Sequence, residues 1–155
     1  MPRTKCGFDS TPQGASGQEL LVTWGPTLFV DVGFDPAFIP NPLAMPVPTP
    51  GMRGINALVD TGAQECCIDS LLASQLGLPI VDRRQISGVH GSHIASVHLA
   101  QVFVPSLAFV VYGAFVGVDL AAGGQAHSVL IGRTFLQFFT MVYEGRNGTV
   151  TLDND

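Results

Sequence analysis

The chain has 155 residues, of which 46% are hydrophobic and 12% are charged, and it contains 18 glycines and 11 prolines. That length suits a single domain with its own core, and the low charge with many turn-forming residues favours short strands over long exposed helices. The net charge of −5, without any basic run, argues against a surface that follows the phosphates of a nucleic acid.

The cysteines and the first residues of the chain indicate its compartment. Three cysteines are present, and two of them, Cys66 and Cys67, are adjacent, which strains any bridge between them. An odd number of cysteines leaves a free thiol, so we expect a reducing compartment and a cytoplasmic location. The first ten residues lack the apolar core of a signal peptide, which agrees with that expectation.

Neither a metal centre nor a membrane span is expected. No spacing of histidines and cysteines matches a zinc site, and no other cofactor is indicated. The longest apolar run, 102–118, is interrupted by Pro105, Gly113 and Gly117. We interpret this run as strands joined by a turn, and we expect no contact with a membrane.

The first third of the chain is predicted from its turn-forming residues. Residues 1–18 are polar and rich in glycine, serine, threonine and proline, so we expect a flexible tail followed by one domain over 19–155. Within that domain, 19–24 and 27–34 are predicted as a hairpin around a Gly-Pro turn. The six prolines of 35–51 predict an extended insertion, because proline cannot donate to the hydrogen-bond ladder of a central strand.

The rest of the chain is predicted as short strands with two short helices. The hydrophobic pattern and the positions of glycine predict the ends of these elements. In chain order they are strands at 54–60 and 66–69, a helix at 70–76, alternating strands over 82–104 that turn at 87–92, strands at 102–109 and 110–120, a helix at 134–139, and a terminal hairpin of 141–143 with 149–152.

The segment 57–63 combines an apolar strand with an acid. The residues before Asp60 are apolar and are predicted to be buried, so its carboxylate lies at the end of the core. An isolated buried charge is too costly, and the group must shift its pKa or find a partner. Thr61 adds a hydroxyl, and Gly62 leaves room for another backbone or a substrate. By itself, Asp-Thr-Gly is also ordinary turn chemistry.

A second stretch, 129–136, is another apolar strand, which stops at Gly132 and passes into a short helix. Together, 57–63 and 129–136 resemble the two sequence blocks of the retropepsin-like aspartic proteases, the single-domain family that includes the retroviral proteases. The resemblance covers roughly 27–152. It implies an all-β fold, with a closed barrel, one short C-terminal helix and an obligate homodimer.

The resemblance implies a reaction that needs two copies of the chain. Aspartic proteolysis uses two carboxylates around one water, and like charges that close share one proton, which raises one pKa strongly. The ionised acid takes a proton from the water while the protonated acid donates to the scissile carbonyl. The chain supplies only one suitable acid, Asp60, so a C2 homodimer must bring the second. The expected substrate is a polypeptide bound as an extended strand.

The resemblance also assigns roles to the residues around the acid. Thr61 would bond across the two-fold axis and Gly62 would admit the substrate backbone, so the expected catalytic group is Asp60, Thr61 and Gly62. The residues expected to bind substrate are Ala63 and Gln64 on the floor of the cleft, and Gly88, Val89, His90 and Gly91 in the flap, a hairpin that closes over the substrate. Structural support of the site is expected from Ile131, Gly132 and Arg133.

The sequence departs from the family pattern in three places. The flap has no tyrosine of the kind that pepsins carry there, and the insertion at 35–51 is longer than the usual connection. Retroviral enzymes often have an acid at the position of Gln64, where it pairs with the arginine that corresponds to Arg133. We therefore expect Glu65, the next residue, to take over that ion pair.

The sequence alone leaves two functions open besides the favoured one. The favoured interpretation is an aspartic endopeptidase. The alternative is a domain of the same fold that dimerises or binds peptides with little or no turnover, although an intact Asp-Thr-Gly favours the enzyme. A third interpretation is an unrelated β-barrel that binds a ligand, in which Asp60 is only a turn residue. It would leave the block at 129–136 unexplained.

Overall fold

The computed structural model describes residues 3–37, 51–88 and 91–154, and short strands make up most of its regular structure. The elements run in chain order as β1 (Arg3–Lys5), α1 (Gly17–Trp24), β2 (Thr27–Gly33), β3 (Gly51–Val59), β4 (Cys67–Asp69), α2 (Ser70–Gln75), β5 (Ile80–Gly88), β6 (Gly91–Val104), β7 (Phe109–Val118), β8 (Val129–Ile131), α3 (Arg133–Leu136), β9 (Thr140–Glu144) and β10 (Thr149–Asp153). Single-turn 3-10 helices join β6 to β7 and β9 to β10.

Six of the strands close into a barrel. The strand order is β2-β3-β8-β4-β7-β6-β5, and β2 also pairs with β6, so the sheet closes on itself and leaves β5 outside the closure. Apolar side chains fill the core, and several are fully buried, among them Val30, Ala57, Ile68, Val102 and Ile131. Branched side chains pack well on a pleated sheet, and their burial is the main favourable term in folding. The all-β closed barrel that the resemblance implies is therefore confirmed.

Two strands that are far apart in sequence lie side by side in this barrel. β3 pairs with β8 in parallel, and Val59 is opposite Ile131. Neighbouring parallel strands point in the same direction, so they end at the same edge of the sheet. The residues that follow them, Asp60 and Gly132, therefore emerge together, which joins the two sequence blocks in space.

A second sheet, of three strands in the order β1-β10-β9, includes the N-terminal residues. The N–H of Cys6 donates to the carbonyl of Val150 at 2.9 Å, and the N–H of Thr27 donates to the carbonyl of Cys6 at 2.8 Å. The side chain of Cys6 is buried. The sequence predicts a flexible tail over 1–18, whereas the structure ties Arg3–Lys5 into this sheet. The partner strand is β10, about 150 residues away, and no local pattern indicates it.

The segment predicted as a strand at 19–24 is helical, which corrects the first predicted hairpin. The Ser16 hydroxyl accepts the N–H of Glu19 at 3.1 Å, and the Glu19 carboxylate accepts the N–H of Ser16 at 3.2 Å. This reciprocal capping box stabilises the first turn of α1. The Ser-x-x-Glu spacing was present in the sequence and could have identified the helix start. Leu21 anchors the helix, because it is buried against the core.

The other predicted strands and helices are observed, with small shifts at their ends. Pro105 begins a 3-10 turn, so the strand predicted at 102–109 ends at Val104. Within the Pro-rich insertion predicted at 35–51, residues 38–50 lie outside the described residues, and that prediction stays open. No helix within the described ranges has the length and apolar character needed to cross a membrane.

Candidate active site

Asp60 lies half-buried at the point where β3 ends. Its backbone N–H donates to the carbonyl of Ile131 at 2.9 Å, which extends the pairing of β3 with β8 by one residue. Its carboxylate Oδ1 accepts the N–H of Gly62 at 2.9 Å, and its carbonyl accepts the N–H of Ala63 at 3.2 Å. These bonds hold the carboxylate in a tight turn of residues 60–63, which we call the Asp60 turn. The buried strand β3 leads into it.

The second sequence block packs directly against the backbone that follows the Asp60 turn. The N–H of Arg133 donates to the carbonyl of Ala63 at 2.9 Å, and the N–H of Gly132 donates to Sγ of Cys66 at 3.4 Å. A Cβ atom placed on Gly132 would lie 2.5 Å from the carbonyl oxygen of Glu65. Only glycine permits so close an approach of two backbone segments. The structure therefore brings together the residues that the sequence predicts as a supporting pair of blocks.

Arg133 makes a different contact from the one that the sequence predicts. Its guanidinium Nη1 donates to the backbone carbonyl of Thr61 at 2.7 Å. Glu65 does not pair with Arg133. Both Glu65 carboxylate oxygens accept from Nη1 of Arg84 at 2.6 Å, and Nε of Arg84 is 3.6 Å from Asp82. The expected ion pair is therefore wrong, because Glu65 bonds to strand β5 while Arg133 supports the Asp60 turn by a hydrogen bond.

The predicted flap corresponds to the hairpin of β5 and β6. The two strands pair in antiparallel register as far as Gly88 opposite Gly91. The two residues at the tip, Val89 and His90, lie outside the described residues. Among the strands that the structure describes, β5 pairs only with β6 and stands outside the barrel closure, so the hairpin projects from the barrel. The ion pair of Arg84 with the Glu65 carboxylate ties the middle of β5 to the segment that follows the Asp60 turn.

Most of the remaining predicted residues at the turn are exposed to solvent. Thr61, Gly62 and Gln64 are exposed, and Ala63 is half-buried. Within the described residues, the Thr61 hydroxyl makes no hydrogen bond. It is therefore available to bond a group that does not belong to this chain.

A depression of about 380 Å³ lies beside β3, and sequence reasoning missed it. Leu58, which stands two residues before Asp60, lines it. Its lining joins the end of α1 to the loop before β8, and it consists of Thr23, Trp24, Gly25, Leu58, Gly124, Gln125, Ala126 and His127. The sequence carries no sign of this neighbourhood, because the two segments are about 100 residues apart.

His127 forms one wall of the depression. Its ring Nε2 lies 2.8 Å from the hydroxyl of Thr27, and burial lowers the pKa of the ring. Burial acts this way because it penalises the charged form. The shift favours the neutral ring, and the contact with Thr27 joins this loop to β2.

Burial works against a nucleophilic role for the three thiols. Burial raises the pKa of Cys6 to about 12 and, with smaller contributions from neighbouring negative charges, that of Cys67 to about 11; burial also raises the pKa of Cys66. The reactive form of cysteine is the thiolate, which these shifts suppress at neutral pH. In the part of the chain that the structure describes, no three His, Cys, Asp or Glu side chains are placed to hold a metal ion.

Loss of the Arg133 contact is expected to loosen the Asp60 turn. We expect Arg133→Ala to lower the free energy of unfolding by about 1 kcal/mol, because a charge-assisted hydrogen bond on an exposed side chain contributes about that much. Urea unfolding of the wild type, Arg133→Ala and Arg146→Ala would measure it, since Arg146 is equally exposed but stands in a distant turn. Equal midpoints for all three proteins would contradict the supporting role of Arg133.

The comparisons with known proteins agree with this geometry. A family model described as aspartyl protease matches residues 49–135, which is more than half of the chain. The matched segment includes the Asp60 turn, both strands of the projecting hairpin and all but the last residue of the block at 129–136. None of the curated proteins that were compared matches the chain.

Proposed function

The chain belongs to the aspartyl protease family, and we propose that it is an aspartic endopeptidase that acts as a C2 homodimer. The Asp60 turn is the observation that carries this proposal. Backbone hydrogen bonds from Gly62 and Ala63 fix the turn, and Gly132 packs behind it. A preorganised carboxylate of this kind costs little reorganisation when the reaction begins.

In the proposed dimer the two Asp60 carboxylates share one water and one proton. Two carboxyl groups close enough to share one water cannot both be ionised, so one acid stays protonated. The ionised acid removes a proton from the water as the water attacks the peptide carbonyl, and the other acid donates to the carbonyl oxygen. The resulting tetrahedral intermediate collapses with a proton moving to the leaving nitrogen. Thr61 is exposed, and in this dimer its hydroxyl would bond its counterpart across the axis.

The proposed substrate is a polypeptide held as an extended strand beneath the β5–β6 hairpin. Main-chain hydrogen bonds provide affinity in this mode of recognition, and side-chain pockets provide preference. The depression beside Leu58 supports one such pocket, and its Trp24 and Leu58 side chains suit an apolar residue near the cleaved bond. The free thiols of Cys6, Cys66 and Cys67 support a reducing compartment, and we propose the cytoplasm.

Arg84 gives a test of the hairpin's part in substrate binding. We expect Arg84→Ala to raise KM about two- to five-fold with a smaller change in kcat, because the exposed ion pair with Glu65 contributes modestly to holding the hairpin. Steady-state kinetics on one peptide would measure both constants. Arg83→Ala is the matched control, because it removes a neighbouring exposed charge, and Arg84→Lys should restore part of the loss. An equal rise in KM for both alanine variants would assign the effect to net charge.

The experiment that tests the proposed function compares the wild type, Asp60→Asn and Asp9→Asn. Each protein is incubated with several unfolded polypeptides at mildly acidic and neutral pH, and its oligomeric mass is measured at the same concentration. Asparagine keeps an oxygen that can accept the N–H of Gly62, so the turn is expected to persist. Asp9 is exposed and lies outside the site, which makes it the matched control.

Cleavage by dimers of the wild type and Asp9→Asn, but not by Asp60→Asn, is the expected result. Cleavage by all three proteins would place the activity elsewhere. If all three are dimers and none cleaves any substrate, the chain is the dimerising or peptide-binding domain that forms the alternative. Cleavage by a monomer would contradict the mechanism with two shared acids.

A further inference from the structure

We propose that a depression between the β5–β6 hairpin and α2 binds a primary alkylammonium group, which is the charged end of a lysine side chain or of a free aliphatic amine. The depression has a volume of about 290 Å³, and we call it the His98 depression. Residues of both hairpin strands, of α2 and of the end of β7 line it, among them Ser70, His98 and Asp119. Its lining shares no residue with the Asp60 turn or with the depression beside Leu58, so it is a separate site.

His98 is a buried polar side chain that uses only one of its two ring nitrogens. Its exposed fraction is 6%, and its Nδ1 lies 3.4 Å from the carbonyl oxygen of Leu78. A carbonyl can only accept, so Nδ1 carries the proton and Nε2 of the neutral ring is left as an acceptor. Within the described residues, Nε2 makes no hydrogen bond. Because buried polar atoms are costly without a partner, Nε2 calls for a donor that this chain does not supply.

Gly117 keeps the space beside Nε2 of His98 open. A Cβ atom placed on this buried residue of β7 would lie 3.1 Å from Nε2 and 3.0 Å from the carbonyl oxygen of Ser96. Gly117 and Ser96 both line the depression. The lack of a side chain at Gly117 therefore leaves the Nε2 edge of the ring accessible from the depression.

The other polar groups of the depression favour a ligand with several N–H donors and a positive charge. Asp119 follows β7 and is exposed, and within the described residues its carboxylate makes neither an ion pair nor a hydrogen bond. The hydroxyls of Ser70 and Ser74 on α2 make none either in that part of the chain. All of these groups can accept, and the carboxylate adds a negative charge. An ammonium group, with three donors and one positive charge, matches this set better than an alcohol or an anion does.

The size and the apolar walls of the depression favour a ligand with a short aliphatic stem. Ile80 and Ile94 line it, and their exposed fractions are 52% and 73%. Apolar surface of this kind packs against the methylene groups of a lysine or an alkylamine while the charged end stays among polar groups. Drug-sized ligands occupy sites of about 300–1,000 Å³. A depression of about 290 Å³ therefore suits a ligand no larger than one long side chain.

A metal ion would compete for the same acceptors. His93 also lines the depression, together with His98 and Asp119. Across the residues that the structure describes, however, no three histidine, cysteine or acidic side chains are placed to hold a metal ion. Zinc sites in proteins use three or four such ligands at about 2.0–2.3 Å, so the arrangement fits an ammonium group better.

The test is an NMR titration of protein labelled with ¹⁵N in its histidine rings, at neutral pH, with three probes of equal stem length. n-Butylammonium is expected to shift the ring signals of His98 with half-saturation on the order of 10 mM, as for a very small ligand. n-Butanol and butyrate are expected to leave them in place. Asp119→Asn keeps the shape and removes the charge, so it should weaken n-butylammonium binding about three- to five-fold. Asp9→Asn is the matched control, because Asp9 is exposed and distant in the chain.

Equal shifts with all three probes would show an apolar site without preference for the ammonium group, and would overturn the inference. Equal half-saturation for wild type and Asp119→Asn would overturn it as well. A response to zinc chloride at micromolar concentration, without one to n-butylammonium, would replace it with a metal site.

A second pair of probes identifies the source of the ammonium group. If a short peptide with one lysine binds more tightly than n-butylammonium, and its norleucine counterpart does not bind, the site takes a lysine side chain of a polypeptide. Tighter binding of the free amine than of the lysine peptide supports a small-molecule amine. None of these measurements uses cleavage, so the inference stands or falls independently of the proposed function.

Discussion

A dimer in which only one subunit carries Asp60→Asn is expected to hydrolyse peptides as slowly as a dimer in which both do. We expect kcat to fall by about 10²–10⁴-fold in each case, the range for loss of a positioned acid or base. The reason is that one remaining carboxylate cannot both accept the proton of the water and present a proton to the scissile carbonyl. Groups that act as a unit give effects that do not add.

The measurement needs mixed dimers of known composition. Co-expression of wild type with one affinity tag and Asp60→Asn with another, followed by two successive purifications, isolates them. A doubly tagged dimer of two wild-type subunits is the control for the tags and for the purification. Retention of half the wild-type kcat would mean that each Asp60 works independently, and it would contradict the shared-proton mechanism.

Gly132→Ala is expected to destabilise the chain by roughly 1–3 kcal/mol, the usual cost of overpacking. The added Cβ would lie 2.5 Å from the carbonyl oxygen and 2.7 Å from the carbonyl carbon of Glu65, and 3.0 Å from the carbonyl oxygen of Ala63. These are backbone atoms, which cannot rotate away as the end of a side chain can. The backbone at Gly132 has φ −87°, which any residue adopts, so the cost is steric.

Gly113→Ala is the matched control for that substitution. Gly113 also lies in the barrel, in β7, and a Cβ there meets no atom within 4 Å. Alanine in a strand interior loses less conformational entropy than glycine, so this variant is expected to be neutral or slightly more stable. Urea unfolding of both variants measures the difference, and equal midpoints would contradict the close approach at Gly132. In a peptidase assay on the folded fraction, only Gly132→Ala is expected to lose activity, because its added Cβ also displaces Asp60.

Much of the site was predictable because its parts are carried by local patterns. Asp60 follows an apolar strand, and the block at Gly132 follows another, so both could be recognised as strand ends that carry polar or small residues. The helix α2 and the terminal hairpin were predicted for the same reason, since their caps and turns lie within a few residues of the elements that they bound.

The failed predictions depended on partners that are distant in sequence, or on a competing local signal. The N-terminal residues form β1 because β10 offers them an edge, and Arg3 completes that pairing with an ion pair to Asp153 at 3.2 Å. Glu65 was expected to bond to Arg133, but Arg84 of β5 lies closer. For α1, the capping box at Ser16 outweighed the strand-like pattern of the residues that follow.

The sequence by itself determined the short strands and the two blocks around Asp60 and Gly132, because hydrophobic period and turn residues are properties of short segments. The family and the closed barrel followed from the resemblance that these blocks carry. Only the tertiary structure decided which cation pairs with Glu65, that Arg133 supports the carbonyl of Thr61, and that Trp24 and His127 border the depression beside Leu58. It also decided that β9, rather than β10, keeps a free edge. Pairing between strands is set by the closure of the whole sheet, and no segment of the chain carries that information alone.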